Sequence, residues 1–135
     1  MANAALARLG SIVISVHNSG TPTAQEFQRL ITELGTGTLG GVLAFSTGWS
    51  PGSQERNALR KAVGGARVAV MIESTVGRMA ISVMSVFIDI KGFALDQPLP
   101  ALEFLGVPAE QRAEAMALLE RLKLDVGVVT LKASA

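Results

Sequence analysis

The chain has no cysteine, no tyrosine, one histidine and one tryptophan. Without cysteine it can form no disulfide, thiolate metal site or thioredoxin-like redox centre, and it has no cysteine nucleophile. That composition suits a reducing compartment. A single imidazole, His17, cannot assemble a metal site without a cluster of further ligands, so neither metal nor cofactor is expected. Excess charge is also missing. Twelve basic residues oppose eleven acidic ones, leaving a formal net charge of +1. No global field draws nucleic acid or acidic lipid. Five phenylalanines and one tryptophan are few for a base-stacking platform. Long apolar runs are absent as well. Residues 76–90 fall short of the ~20 needed to span a bilayer and carry Arg78. The first ten residues lack the apolar core of a signal peptide. The expectation is a cytoplasmic protein with no nucleic-acid partner and no stable membrane insertion.

What is present is an alternation of strands and helices. Residues 11–16 are a β-branched run that stops at His17-Asn18-Ser19-Gly20, a strand and then a turn. Thr23-Ala-Gln-Glu26 is a capping box, in which hydroxyl and carboxylate satisfy free N–H groups at a helix start. Phe27, Leu30, Ile31 and Leu34 then give one apolar helix face, and Gly35 can end it. Residues 42–45 predict a second strand. The loop 46–53 leads into a polar helix over 54–63, where only Ala58, Leu59, Ala62 and Val63 can face a core, so that helix should lie exposed. Residues 68–72 predict a third strand.

Ser74 or Thr75 can cap a helix over 76–87 that is apolar almost all round, hence either internal or shared with another subunit. Residues 88–94 predict a fourth strand. Asp96 is placed to cap a short helix over 98–105. Pro108 suits the first position of a last helix reaching about residue 122, with Ala113, Met116, Ala117, Leu119 and Leu122 on its apolar side. Residues 123–135 supply either an added edge strand, over 126–131, or an ordered tail.

This order predicts an α/β fold: a four- to five-stranded, mostly parallel sheet flanked by helices on both faces. Residues 1–135 read as one domain with its core at about 10–122. Functional loops of such a sheet follow the strand C-terminal ends, here 17–23, 46–53, 73–75 and 95–98.

Two motifs match in letters and fail in context. Gly35-Thr-Gly-Thr-Leu-Gly40 has the dinucleotide spacing, but its glycines follow a helix and precede a strand. They sit at the helix's negative end, which repels phosphate. Gly48-Trp-Ser-Pro-Gly52 has the hydrolase-elbow spacing. There the residue after the nucleophile must donate its N–H to the oxyanion, and Pro51 has none. His17 also precedes Ser50, against the order of that fold. Ser50 reads instead as an N-cap with Pro51 at the first helical turn. The loop lacks a Walker lysine, yet its N–H groups with Arg56 and Arg60 could hold an anion. His17 reads as a structural or turn-bonding imidazole, and Glu73 as a capping or solvated carboxylate.

Three segments together carry a family resemblance. They are His17-Asn18 before a Thr-Pro helix start, Val68-Ala-Val-Met-Ile-Glu-Ser-Thr-Val-Gly-Arg78, and Ile90-Lys-Gly-Phe-Ala94 leading to Ala101-Leu-Glu-Phe-Leu-Gly-Val-Pro108. Over roughly residues 10–122 the chain resembles bacterial STAS/SEC14-type (SpoIIAA-like) proteins, small relatives of the anti-sigma-factor antagonists. The resemblance implies a non-enzymatic module that docks on a partner, in some members under serine phosphorylation. The antagonist motif is Asp-Ser-Ser/Thr-Gly, and only Ser46-Thr47-Gly48 can be laid on it. Phe45 stands where the aspartate would be, and Trp49-Ser-Pro-Gly52 lengthens the loop. The SEC14 branch implies a different use, an apolar ligand held in the domain.

The sequence therefore leads to a non-catalytic regulatory protein–protein interaction module with a protein partner. Its interaction or anion-binding loop carries Ser46, Thr47, Trp49, Ser50, Ser53 and Arg56, and His17, Ser74 and Arg78 lie near any ligand. Two alternatives stand beside it: a binder of a small anionic or lipid-like ligand, and a structural homo-oligomer subunit such as a homodimer.

Overall fold

The structure, a computed structural model, describes residues 2–73, 77 and 89–128. Within them lie β1 (Ala4–Leu9), β2 (Ile12–His17), α1 (Ala24–Leu34), β3 (Gly41–Ser46), α2 (Ser53–Val63), β4 (Arg67–Ile72), β5 (Ile90–Phe93), α3 (Pro98–Phe104) and α4 (Ala109–Asp125). The five strands form one sheet in sequential order. β1 is antiparallel to β2, and β2, β3, β4 and β5 are mutually parallel. The fold is α/β, with a mixed, mostly parallel sheet. The expected helix over 76–87, with its internal or shared face, and the tail 129–135 lie outside the described residues. Among the described residues, no helix is long and apolar enough to cross a membrane.

β1 was not anticipated, and its composition explains why. Ala-Ala-Leu-Ala-Arg-Leu consists of good helix formers. Tertiary contacts override that propensity. Leu9 pairs with Ile12, so a two-residue turn joins β1 to β2, and Gly10 takes the left-handed conformation it needs (φ 59°). Two charged side chains then bind β1 to α1. Arg8 reaches the C-terminal end of α1, with Nε donating to Glu33 Oε1 at 2.6 Å and Nη2 to the carbonyls of Glu33 and Thr36 at 2.7 and 2.8 Å. At the other end, Glu26 Oε2 accepts from the N–H groups of Asn3 and Ala4 at 3.0 and 3.2 Å. The same carboxylate completes the capping box at Thr23.

The two sheet faces differ. Strand alternation sends Ile14, Val16, Leu43, Phe45, Ala69 and Met71 to one side, where α3 and α4 cover them with residues such as Leu102, Leu119 and Leu122. A fully buried aliphatic side chain of this kind contributes roughly 1.5–3 kcal/mol. Buried Lys123 joins this side, its Nζ 4.6 Å from the Phe45 ring centroid and 2.9 Å from Glu120 Oε1. On the other side, α1 and α2 meet a smaller cluster around Val13, Leu30, Leu34 and Val42. None of α2's eleven residues is buried, as its polar pattern foretold.

Several boundaries differ from expectation. Gly52, not Ser50, is the N-cap of α2, and the Glu55 carboxylate accepts from the Gly52 N–H at 2.9 Å. Gln97, not Asp96, precedes α3, its Oε1 accepting from the Ala94 N–H at 3.2 Å. Pro108 is the N-cap of α4 rather than its first residue, because its ψ of 146° is extended. α4 continues past residue 122 to Asp125, and Val126 caps it instead of starting a strand. The inward face of α4 is Ala115, Leu119 and Leu122, whereas Ala113 and Ala117 are exposed. Alanine at those two positions reports helix propensity, not burial.

Candidate functional site

Sheet register explains where space remains. Ser15, Ala44, Val70 and Gly92 stand side by side across β2, β3, β4 and β5. All four are small or short, so they form a trough that α1 and α2 do not fill. Ala44 and Val70 are only half-buried although β3 and β4 are central strands. Their neighbours on the opposite face, Leu43, Ala69 and Met71, are completely buried. Over this trough lies a cleft of about 910 Å³. Its walls are apolar: Leu30 and Leu34 from α1, Leu59 and Val63 from α2, and Val42 and Val68 from the sheet. Gly77, between β4 and β5, also borders it.

The C-terminal strand ends close one end of the cleft. His17, Ser46 and Ile72 are in register there. The loop after β3 turns back over His17, and its hydrogen bonds show how. Ser46 Oγ donates to the Trp49 carbonyl at 2.8 Å and accepts the Gly48 N–H at 3.3 Å. The Thr47 N–H donates to the His17 carbonyl at 3.1 Å. Gly48 passes so close to the turn after β2 that a Cβ would lie 2.9 Å from the Ser19 Cβ. This path lays the Trp49 indole on the His17 imidazole, with centroids 4.8 Å apart and planes at 30°. Phe27 of α1 meets the same indole edge-on at 6.4 Å. Trp49 is thus half-buried between His17 and Phe27.

His17 is 4% exposed. Nε2 lies 3.3 Å from Ser15 Oγ, and Nδ1 has no hydrogen-bond partner among the described residues. Burial pushes the imidazole pKa down to about 4, against the opposing pull of the Glu26 carboxylate. The ring is therefore neutral at physiological pH. The Glu26 carboxyl lies below its ordinary value, chiefly because the Thr23 backbone N–H bonds it, with help from Ala4 and Asn3 and against its own desolvation.

The cleft brings together His17, Ser46, Thr47, Trp49, Ser50 and Arg56 of the sequence-predicted residues. Ser50 sits exposed at the rim, two residues before the α2 cap and so off any strand-to-helix elbow. Ser53 is the exposed first residue of α2 and does not line the cleft. Arg56 donates to the Pro51 carbonyl at 3.3 Å. Ser74 and Arg78 lie outside the described residues. Glu73, exposed at the end of β4, borders the cleft. Arg60, expected beside Arg56, also borders the cleft. Sequence reasoning missed Ser15, Ala44, Val70 and Phe27 as site residues. The signal for the first three was the period of two, counted back from His17, Ser46 and Ile72 along their strands.

Among the described residues, no group of three His, Cys, Asp or Glu could hold a metal ion. No family model, curated protein or solved structure matches the chain.

Proposed function

We propose that this chain is a non-catalytic binding protein whose cleft takes a small, lipid-like molecule of mainly apolar body. The observation that carries it is the trough of small residues, which leaves the central strands β3 and β4 half-covered on one face beneath a cleft of about 910 Å³. Ligand sites are mostly apolar concavities of roughly 300–1,000 Å³ with a few placed polar groups, and this cleft has that character. The described residues leave it unfilled, which forgoes packing that a domain of this size could use. The α/β arrangement also agrees with the fold that the STAS/SEC14 resemblance implies, and an apolar ligand is one use that resemblance suggests.

The test is fluorescence titration with the neutral apolar dye N-phenyl-naphthylamine. Wild type should bind it with a fluorescence increase. Ala44→Leu, which fills the trough from its floor, should stay folded and bind at least ~10-fold more weakly, since the dye must give up buried contacts. Equal affinities, or no binding to wild type, would refute the proposal.

A second reading is regulatory docking on a protein partner, as the same resemblance suggests. It is favoured by α2, a helix with no buried residue that carries Arg56, Arg60 and Lys61 beside the 46–52 loop. A partner recognised there would present acidic groups. In a pull-down, Arg60→Glu combined with Lys61→Glu should lose a partner that wild type retains; identical recoveries would contradict it.

A further inference from the structure

We infer that the ligand of this cleft is an uncharged apolar molecule bearing a hydroxyl group, and that the His17–Ser15 pair bonds this hydroxyl. The inference rests on the cleft being a ligand site and adds which chemistry it selects.

It follows from accounting for the polar atoms at the strand-end wall. Ser46 Oγ is used twice, toward the Trp49 carbonyl and the Gly48 N–H. The Thr47 N–H is spent on the His17 carbonyl. Among the described residues, two buried capacities remain. One is His17 Nδ1, which has no partner in a side chain 4% exposed. The other is the remaining hydrogen-bonding capacity of Ser15 Oγ, whose residue is 2% exposed and which meets His17 Nε2 at 3.3 Å. A buried ring nitrogen without a partner is costly, and native folds rarely leave one. Both residues line the cleft.

The two ring nitrogens have complementary roles. If Nε2 carries the proton and donates to Ser15, Nδ1 must accept; if Ser15 donates to Nε2, Nδ1 must donate. A hydroxyl both donates and accepts, so it satisfies either tautomer. A hydrocarbon, ether or ester lacks the donor that the first case requires.

Charge argues against an anionic head group at this end. Desolvation keeps the imidazole neutral, and the charge it does feel is the Glu26 carboxylate, which repels an anion. Among the described residues, the guanidinium groups that border the cleft, Arg56 and Arg60, are exposed on α2 and bond the Pro51 carbonyl and Asn57 Oδ1. The rest of the wall, including Val42, Ala44, Leu59, Val63 and Val70, asks for an apolar body.

The experiment is displacement of N-phenyl-naphthylamine from wild-type protein by three probes of equal chain length: n-decanol, its methyl ether and decanoate. The alcohol should bind about fivefold or more tightly than either of the others, the value of one hydrogen bond. In His17→Phe the ether should keep its affinity and the alcohol should lose its advantage. Ser15→Ala should shrink the same advantage, and the wild-type comparison decides even if a variant folds poorly. An ether that equals the alcohol in wild type, or decanoate binding tightest, overturns the inference while leaving the cleft a ligand site. Failure of the dye and all three probes to bind removes the site itself, and the inference with it.

Discussion

His17 is where folding and site chemistry meet. Its imidazole is buried by the Trp49 indole on one side and the sheet on the other, so protonating it in the folded chain is costly. The folded pKa, about 4, lies below the ordinary 6.5 of an unfolded chain. The unfolded state therefore binds the proton first, and stability is full above pH ~6.5 and falls as pH drops toward 4. The slope approaches ~1.4 kcal/mol per pH unit and the whole loss is about 3 kcal/mol. Glu26 adds to this only at lower pH. Its folded carboxyl pKa lies below the unfolded value of 4.5, so its contribution is complete above that value and disappears on further acidification. Urea unfolding at a series of pH values should show the decline for wild type and a nearly flat curve for His17→Phe between about pH 6.5 and 4.5. Parallel curves would place the titrating group elsewhere.

At the scale of elements, α4 shows how local pattern and tertiary contact divide the work. Its alanines and leucines are spread round the helix, so composition marks a helix without marking its inner face. The structure chooses Ala115, Leu119 and Leu122, which pack on the Ile14 and Leu43 side of the sheet. Leu119→Ala should thus cost about 2–5 kcal/mol by chemical denaturation, whereas Ala117→Leu on the exposed side should stay within about 0.5 kcal/mol. Comparable effects from the two would put the helix in another rotation. Other elements were legible because their signals are local. Thr23 and Glu26 fix the start of α1, and the β-branched runs mark β2 and β4. β1 was hidden because Arg8 and Glu26, which hold it against α1, act across 25 and 22 residues of sequence. The α2 cap was misplaced because an exposed serine and a glycine can both precede a helix, and only the Glu55 carboxylate on the Gly52 N–H decides between them.

For the whole molecule, the unequal covering of the sheet matters most. One face is sealed by α3 and α4, and the other leaves the trough of Ser15, Ala44 and Val70 beneath the cleft. His17, Ser46 and Trp49 could each be singled out in the sequence as strand-end or loop residues. Their convergence could not, because it depends on the parallel register that sets His17 beside Ser46 and on the Gly48 contact that turns Trp49 inward. No spacing along one chain encodes that register. The central claim is that small molecules enter over this trough. The most direct measurement is heteronuclear NMR of wild-type protein titrated with N-phenyl-naphthylamine. Saturable shifts should gather at the Ser15, Ala44 and Val70 amides and at the Trp49 indole N–H. Shifts confined to α3 and α4, or none at all, would contradict the account.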